Sequence, residues 1–324
     1  MARKSLLFGT GLALGLVLAT GSAFAQAWPS ARPIKWIVPF PAGGATDVIS
    51  RVAAHQLSQA LGQAIAVENV TGAAGAVGMD RIAKSAPDGY TLGTSANSVM
   101  TVMPHQSEAA LPFDTMSSFT PIAGIASFQY VLDVSPASGI KTVKDLLAKA
   151  QTGTGKVTFG SSGLGTGSHL AGILLAEKTG TAFTDVPYKG GAPALNDLMG
   201  GQIDFVADPV GGSIALIRGG KLVPIAVTGS RRHPALPNVP LVSETVPGYD
   251  HVGWFALYGP ARLSPAIVRR ISTEMAKIQK SPQYLAALEK LGYEAWSIDA
   301  AELAQRQQRE LVQWGELLKK RPRK

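Results

Sequence analysis

The stretch IVPFPAGGATDVISR, residues 37–51, decides the fold expected of this 324-residue chain. It opens with the apolar and β-branched residues of a strand and closes with the apolar spacing of a helix. The corner between them carries two prolines and the adjacent Gly43 and Gly44, and it has no cation before Arg51. A strand that turns through small residues into a helix is the building unit of α/β proteins.

The same unit recurs along the chain. AIAVENV precedes GAVGMDRIAKSA, KVTFGSS precedes GSHLAGILLAEKTG, and FTDVPY precedes APALNDLMGG. This alternation, with short connections, predicts parallel sheets covered by helices on both faces and therefore an α/β fold. Ser-Pro pairs at 264–265 and 281–282, and an Asp299–Glu302 pair, predict the starts of three C-terminal helices.

The predicted strands are too numerous for one sheet, so we expect two halves that share the chain discontinuously. The stretches SFTPIAGIASF (118–128) and PNVPLVSETVPGYDHVGW (237–254) carry proline and glycine and are the predicted crossovers. One half is then expected to comprise residues 26–125 with 247–324, and the other residues 126–246.

The N-terminus has the composition of a secretory signal peptide. Two cations in MARKS precede an apolar run, and Ala23-Phe24-Ala25 is an A-x-A cleavage site. A membrane anchor is the alternative, but the run is glycine-rich and short for a span. We therefore expect residues 1–25 to be removed and the mature protein to reside in the periplasm.

Cysteine usage and charge exclude several classes of protein. The chain has no cysteine, so it has no disulfide and no lipid attached to an N-terminal cysteine. The net charge is +8; without Arg3 and Lys4 it is +6, and the terminal KKRPRK carries five of those charges. The rest of the chain carries a net charge of only +1. It has no row of basic residues interleaved with aromatic residues, which argues against nucleic-acid binding.

Four corners of the sequence share one construction. PFPAGGATD (39–47), TGAAGAVG (71–78), GSSGLGTGSH (160–169) and YKGGAPAL (188–195) each follow a predicted strand and precede a predicted helix. The first turn of a helix leaves N–H groups unpaired and carries partial positive charge, and small residues let an anion approach that backbone. Each corner alone is also explained by the need of sharp turns for glycine. Four together favour anion binding.

Motifs for nucleotide binding or catalysis fail in these corners. In the third corner Ser168 stands where a dinucleotide fingerprint needs glycine, Thr166 where a phosphate-binding loop needs lysine, and Leu164 where a nucleophile elbow needs glycine. His169 directly follows Ser168, and neighbours on a helix do not face each other. The five histidines show no metal-ligand spacing. The sequence favours binding over turnover, with no metal and no cofactor.

Five segments together resemble the periplasmic receptors of tripartite tricarboxylate transporters, also called Bug receptors. They are IVPFPAGGATDVISR, VENVTGAAGAVGMDRIAKSAPDGYTLG, GSSGLGTGSHLAG, VPYKGGAPALNDLMGGQIDF and GWFALYGPARLSPAIV. The resemblance implies a two-lobed periplasmic-binding-protein fold of the type II, Venus-flytrap kind, with two crossover segments. Such a receptor closes on a small carboxylate, presents it to the permease subunits of a membrane transporter and acts as a monomer.

The resemblance also implies where the ligand binds. Loops matching residues 40–47 and 161–169 clasp a carboxylate, partly through ordered water, and the aromatic residues Phe128, Tyr188, Trp254 and Phe255 are candidate pocket walls. The predicted ligand-binding residues are Phe40, Ala42, Gly43, Gly44, Thr46, Asp47, Gly72, Ala73, Ser95, Asn97, Ser161, Ser162, Thr166, His169, Tyr188, Gly190, Asp208 and Trp254.

Two other functions stay open at this point. One is a secreted α/β hydrolase or transferase that uses Ser161 or Ser162, and the other is a ligand-sensing partner of a membrane signalling protein. The sequence does not distinguish dicarboxylates, tricarboxylates, acidic amino acids and aromatic acids as ligands.

Overall fold

The computed structural model describes residues 28–106, 110–152 and 157–319. The predicted signal peptide and residues 320–324 of the basic tail lie outside the described residues. The strands are β1 Ile34–Val38, β2 Ile65–Asn69, β3 Thr91–Ala96, β4 Phe119–Val134, β5 Thr158–Ser161, β6 Thr184–Pro187, β7 Phe205–Pro209, β8 Val223–Val227, β9 Val252–Pro260 and β10 Glu294–Ala295. The helices are α1 Ala45–Leu61, α2 Ala76–Ala83, α3 Met103–Gln106, α4 Val143–Gln151, α5 Gly167–Thr179, α6 Gly191–Met199, α7 Val210–Arg218, α8 Pro265–Ile278, α9 Pro282–Lys290 and α10 Ala300–Lys319.

The first half of the molecule is a sheet with helices on both faces. Its strands follow the order β2-β1-β3-β9-β4. Successive side chains of a strand point to opposite faces. Trp36 accordingly packs in the same core as residues of α1, α8 and α9, whereas its neighbour Ile37 packs in a second core with residues of α2 and of the π-helical turn Ser98–Val102.

The second half repeats this arrangement. β5 runs parallel to β6 and β7, and β7 and β8 both pair with the last part of β4. Phe205 packs with Phe159 and with Leu170 of α5, and the next residue along β7, Val206, packs with Leu195 of α6 on the opposite face. Helices therefore cover both faces here too.

One strand of 16 residues, β4, belongs to both halves. Its residues 119–129 pair with β9, and residues 130–134 pair with β7 and β8. The stretch 118–128, predicted as a crossover between the halves, is mostly strand and forms the first part of β4. Pro121 and Gly124 are accommodated within the strand because the pairing register with β9 shifts next to each of them. Gly124 is also required, since a Cβ there would lie 2.2 Å from the Trp296 carbonyl oxygen.

The predicted α/β fold is confirmed, but its sheets are mixed rather than parallel. The chain leaves the first half along β4 and returns to it along β9, so β9 runs antiparallel to β4. β9 also runs antiparallel to β3, its other neighbour. The second predicted crossover, residues 237–254, is a connection with one 3-10 turn, Val242–Glu244, followed by the start of β9.

The C-terminal helix α10 reaches both halves. Leu303 packs in the core beside α2, whereas Trp314 and Leu317 pack in the core beside α5. The lobe boundaries drawn from the sequence stay a prediction. Within the described ranges, no helix combines the length and the apolar composition needed to cross a membrane.

Candidate ligand-binding site

A cavity of about 570 Å³ lies between elements of the two halves. The described residues that line it include no Lys, Arg, His, Asp or Glu. Any charge on a ligand must therefore be met by backbone dipoles, hydroxyls or amides of the wall. The lining residues are Phe40, Thr46, Ala73, Ala74, Ala76, Ala96, Asn97, Ser98, Val99, Met103, Gln106, Leu111, Phe128, Tyr130, Leu164, Gly165, Thr166, Gly167 and Phe255.

The first glycine corner, between β1 and α1, reaches the cavity through Phe40 and Thr46. Gly44 is the N-cap residue of α1 and supplies no side-chain cap. The N–H groups of the first helical turn, in which Thr46 lies, have no partner within the helix and carry the positive end of its dipole. This end of α1 is suited to an anion.

The neighbouring Asp47 does not line the cavity. Its carboxylate accepts hydrogen bonds from the Gly43 N–H at 2.9 Å, from Arg51 Nε at 3.0 Å and from Asn69 Nδ2 at 2.9 Å. Burial alone would raise the pKa of Asp47, but the hydrogen bonds from these three residues outweigh it and the pKa is lowered. Four residues predicted to contact the ligand therefore lie beside the cavity rather than in its wall: Ala42, Gly43, Gly44 and Asp47.

The second corner forms part of the wall in a strained conformation. Gly72, Ala73, Ala74 and Gly75 all have positive φ angles, of 137°, 45°, 52° and 103°. For an alanine the left-handed conformation costs about 1–2 kcal/mol. Strain of this kind persists where the surroundings enforce it, and it is common at binding sites. Ala73 and Ala74 line the cavity, and Gly72, which was also predicted, does not.

The third corner contributes residues 164–167 to the wall. α5 begins at Gly167, and the Thr166 hydroxyl caps it by accepting the His169 N–H at 3.3 Å. His169 in turn accepts the Gly165 N–H through Nδ1 at 3.1 Å. His169 thus holds the corner in shape without lining the cavity. The other first-turn N–H groups at the start of α5 form a second anion-binding end.

Ser161 and Ser162 do not line the cavity. Ser161 Oγ is buried and has no hydrogen-bond partner among the residues that the structure describes. The imidazole of His169 is engaged elsewhere, with Nδ1 accepting from Gly165 and Nε2 lying 3.4 Å from the Asp185 carboxylate. A serine nucleophile needs a base within hydrogen-bond reach. The geometry gives the predicted hydrolase alternative no support.

The fourth corner is filled by the protein itself. Asp208 is 3% exposed, and a Cβ at Gly191 or Gly212 would lie 2.5 or 2.2 Å from its carboxylate oxygens. Burial raises the pKa of Asp208 to about 6. The Tyr188 hydroxyl donates to Asp197 at 2.7 Å. Three residues predicted to bind ligand lie outside the cavity here: Tyr188, Gly190 and Asp208.

The remaining predicted residues divide between wall and core. Asn97, after β3, lines the cavity, whereas Ser95 is buried within that strand. Trp254 is fully buried, donates its indole N–H to Glu310 at 3.0 Å and stacks on Trp296 with ring centroids 5.2 Å apart. The structure therefore corrects the prediction for Trp254, which packs in the core.

Three polar wall residues were not predicted from the sequence: Ser98, and the two that contact the third corner, Gln106 and Tyr130. A Cβ added to Gly167 would lie 1.7 Å from the Tyr130 hydroxyl, and one added to Gly165 would lie 2.1 Å from Gln106 Oε1. Both side chains therefore press against the third corner. Tyr130 follows Phe128 by two residues, so recognising β4 as a strand would have placed both on one face. No local pattern marks Gln106.

Comparison with known proteins decides the family. Residues 49–322 match the family described as tripartite tricarboxylate transporter family receptor. The chain belongs to this family. A protein encoded in the tcbD–tcbE intergenic region of Pseudomonas sp. strain P51 is 35% identical over 297 residues, covering 90% of this chain and 86% of that protein. BugT of Bordetella pertussis is 35% identical over 260 residues, covering 79% of each chain.

Solved receptors share the architecture. A Rhodopseudomonas palustris protein solved with adipate is 30% identical, with a TM-score of 0.73 over 90% of this chain and 97% of that one. MatC from the same organism, solved with bound malate, is 26% identical, with a TM-score of 0.69 over 89% and 99%. The family resemblance and the periplasmic-binding-protein fold predicted from the sequence are both confirmed, and the family is one of solute receptors.

Proposed function

We propose that this receptor binds a small organic carboxylate between its two halves and delivers it to the membrane subunits of a tripartite transporter. The bound forms of two relatives, with adipate and with malate, support a carboxylate. The family description supports the transporter as partner.

One observation carries the proposal. The N-termini of α1 and α5, which belong to different halves, border the same cavity, and none of the described residues in its wall is charged. Backbone N–H groups and helix dipoles attract an anion without a cationic side chain. Among the residues predicted from the sequence, those we assign to the ligand are Phe40, Thr46, Ala73, Asn97 and Thr166.

The part of the chain that the structure describes holds no group of three or more His, Asp or Glu side chains placed to bind a metal ion. The proposed recognition needs none, because helix N-termini supply the positive potential. We also propose that the protein is a receptor rather than an enzyme. Capture and release of a carboxylate require only the helix dipoles and the shape of the cavity.

The test is a thermal-shift series on the purified mature protein with adipate, malate, benzoate, citrate and glutamate. A ligand at 100 times its dissociation constant should stabilise the protein by about 2.7 kcal/mol. The methyl esters are matched controls, because they keep the carbon skeleton but lose the negative charge. Equal stabilisation by an acid and its ester would contradict recognition by helix N-termini.

Export is the other part of the proposal. The signal peptide should be cleaved after Ala25, so that the mature chain begins at Gln26. Intact-mass measurement of protein from the periplasmic fraction tests this. A mass that retains Met1 would contradict it.

A further inference from the structure

The side of the cavity formed by β4 and β9 is aromatic. Phe128 and Tyr130 are two residues apart on β4 and share a face, with ring centroids 5.3 Å apart. Phe255 of β9 lies 5.8 Å from Phe128, with the rings 31° from parallel. All three line the cavity. They form a continuous aromatic floor, which is defined here as Phe128, Tyr130 and Phe255.

Further apolar side chains line the cavity beside this floor. Phe40, Met103 and Leu111 line it from the first half. Leu164, at the tip of the third corner, lines it from the second half and is 71% exposed. An exposed leucine on a binding loop gains burial if the loop closes over an apolar ligand.

No described side chain in the wall is placed to neutralise a second charged group of a ligand. The nearby Asp47 is engaged by Gly43, Arg51 and Asn69, and Asp208 is buried beside Gly191 and Gly212. A ligand ammonium would thus lie in the cavity without a carboxylate partner among the described residues. Polar groups held against the aromatic floor would lose hydration without compensation.

From these contacts we infer that the ligand is a carboxylate whose remainder is an uncharged, apolar ring, namely an aromatic or alicyclic acid. This inference rests on the proposed function. The carboxylate lies at the helix N-termini, and the ring lies on the aromatic floor, where offset stacking adds to the burial of apolar area.

The experiment is isothermal titration of the mature protein with benzoate, cyclohexanecarboxylate, adipate, malate and glutamate. Ring acids should bind at least about tenfold more tightly than the other three, because only they bury an apolar ring without a second charge. If adipate, malate or glutamate binds as tightly as benzoate, the inference is wrong and the proposed function stands. If none of the five acids binds, the inference is wrong, and if citrate also fails to stabilise the protein in the thermal-shift series, the proposed function is wrong as well.

A variant pair tests the floor itself. Phe128→Leu should weaken benzoate binding about two- to tenfold through loss of ring stacking, and it should change malate binding by less than twofold. Phe113→Leu is the matched control, because Phe113 is a buried core ring that does not line the cavity. An equal effect of both variants on benzoate, or none from Phe128→Leu, would overturn the role of the floor.

Discussion

His251 donates a hydrogen bond from Nε2 to the carbonyl oxygen of Gly167 at 2.8 Å. A carbonyl only accepts, so this nitrogen carries the proton. The ring of His251 also stacks on Tyr130, with centroids 5.0 Å apart and planes 14° apart. His251 stands just before β9, and Gly167 opens α5. One neutral imidazole therefore joins the returning chain, the aromatic floor and the helix that borders the cavity.

This contact predicts a pH dependence of stability. Burial lowers the pKa of His251 to about 4. The hydrogen bond to Gly167 and the charge of Asp250 each raise this pKa, but by less than burial lowers it. The folded state therefore binds this proton less well than the unfolded state. The stabilisation is complete above pH 6.5 and is lost as the pH falls toward 4. At 1.36 kcal/mol per pKa unit, the total is about 3 kcal/mol, of which about 2 kcal/mol is lost by pH 5.

The variant His251→Gln should remove this dependence while keeping an N–H donor for Gly167. Urea unfolding at pH 7 and pH 5 measures the difference, which should be about 2 kcal/mol smaller in the variant than in the wild type. His55→Gln, on an exposed residue of α1, is the control and should leave the difference unchanged. Parallel curves for His251→Gln and the wild type would contradict the prediction.

The adjacent glycines of the first corner should respond differently to substitution. Gly43 has a φ of 79°, so Gly43→Ala should destabilise the fold by about 1–2 kcal/mol, although a Cβ there meets no atom within 4 Å. Gly44 has a φ of −76°, and a Cβ would lie 3.3 Å from the Pro41 oxygen, so a small shift accommodates serine.

Gly44→Ser should therefore separate folding from binding. Serine at the N-cap accepts an N–H of the first turn of α1, which should stabilise the helix by about 0.3 kcal/mol relative to glycine. The same hydrogen bond removes a donor from the ligand, so affinity for benzoate should fall. Urea unfolding and calorimetry measure the two effects. Unchanged affinity would show that the N-terminus of α1 does not hold the carboxylate.

Trp254 should matter for stability and not for binding. Trp254→Phe leaves the buried Glu310 without its indole donor, although Arg306 still pairs with it, and should cost about 2 kcal/mol. Trp314→Phe is the comparison, since the Trp314 N–H has no hydrogen-bond partner among the described residues. It should cost less. A loss of ligand affinity in Trp254→Phe, with stability unchanged, would restore the role in the pocket predicted from the sequence.

Closure of the two halves is the last prediction. β4 changes partners between Gln129, which pairs with β9, and Tyr130, which pairs with β7. A ligand held by α1 and α5 together favours the closed arrangement through its higher affinity for that state. Small-angle scattering should show a smaller radius of gyration with saturating benzoate and no change with methyl benzoate. An unchanged radius with a ligand that calorimetry confirms would contradict closure.

Local chemistry in the sequence was sufficient for the alternating strands and helices and for the four glycine corners. A run of β-branched residues, a sharp turn of small residues and a capping serine or threonine each act within a few positions of the chain. The order of elements around Gly43, Gly165 and Gly190 could therefore be predicted from single stretches. The family followed from the same stretches.

The tertiary structure alone decided which of these corners face the cavity. Asp208 fills the space beside the fourth corner, Asp47 is turned onto Gly43, and Tyr130 and Gln106 reach the third corner from other elements. β4 is a strand through Pro121 and Gly124 because pairing with β9 outweighs their local preference for a turn. Most of these contacts join residues that are distant in the chain, and the others depend on how a side chain packs. They follow from the packing of whole elements, so no single stretch of sequence shows them.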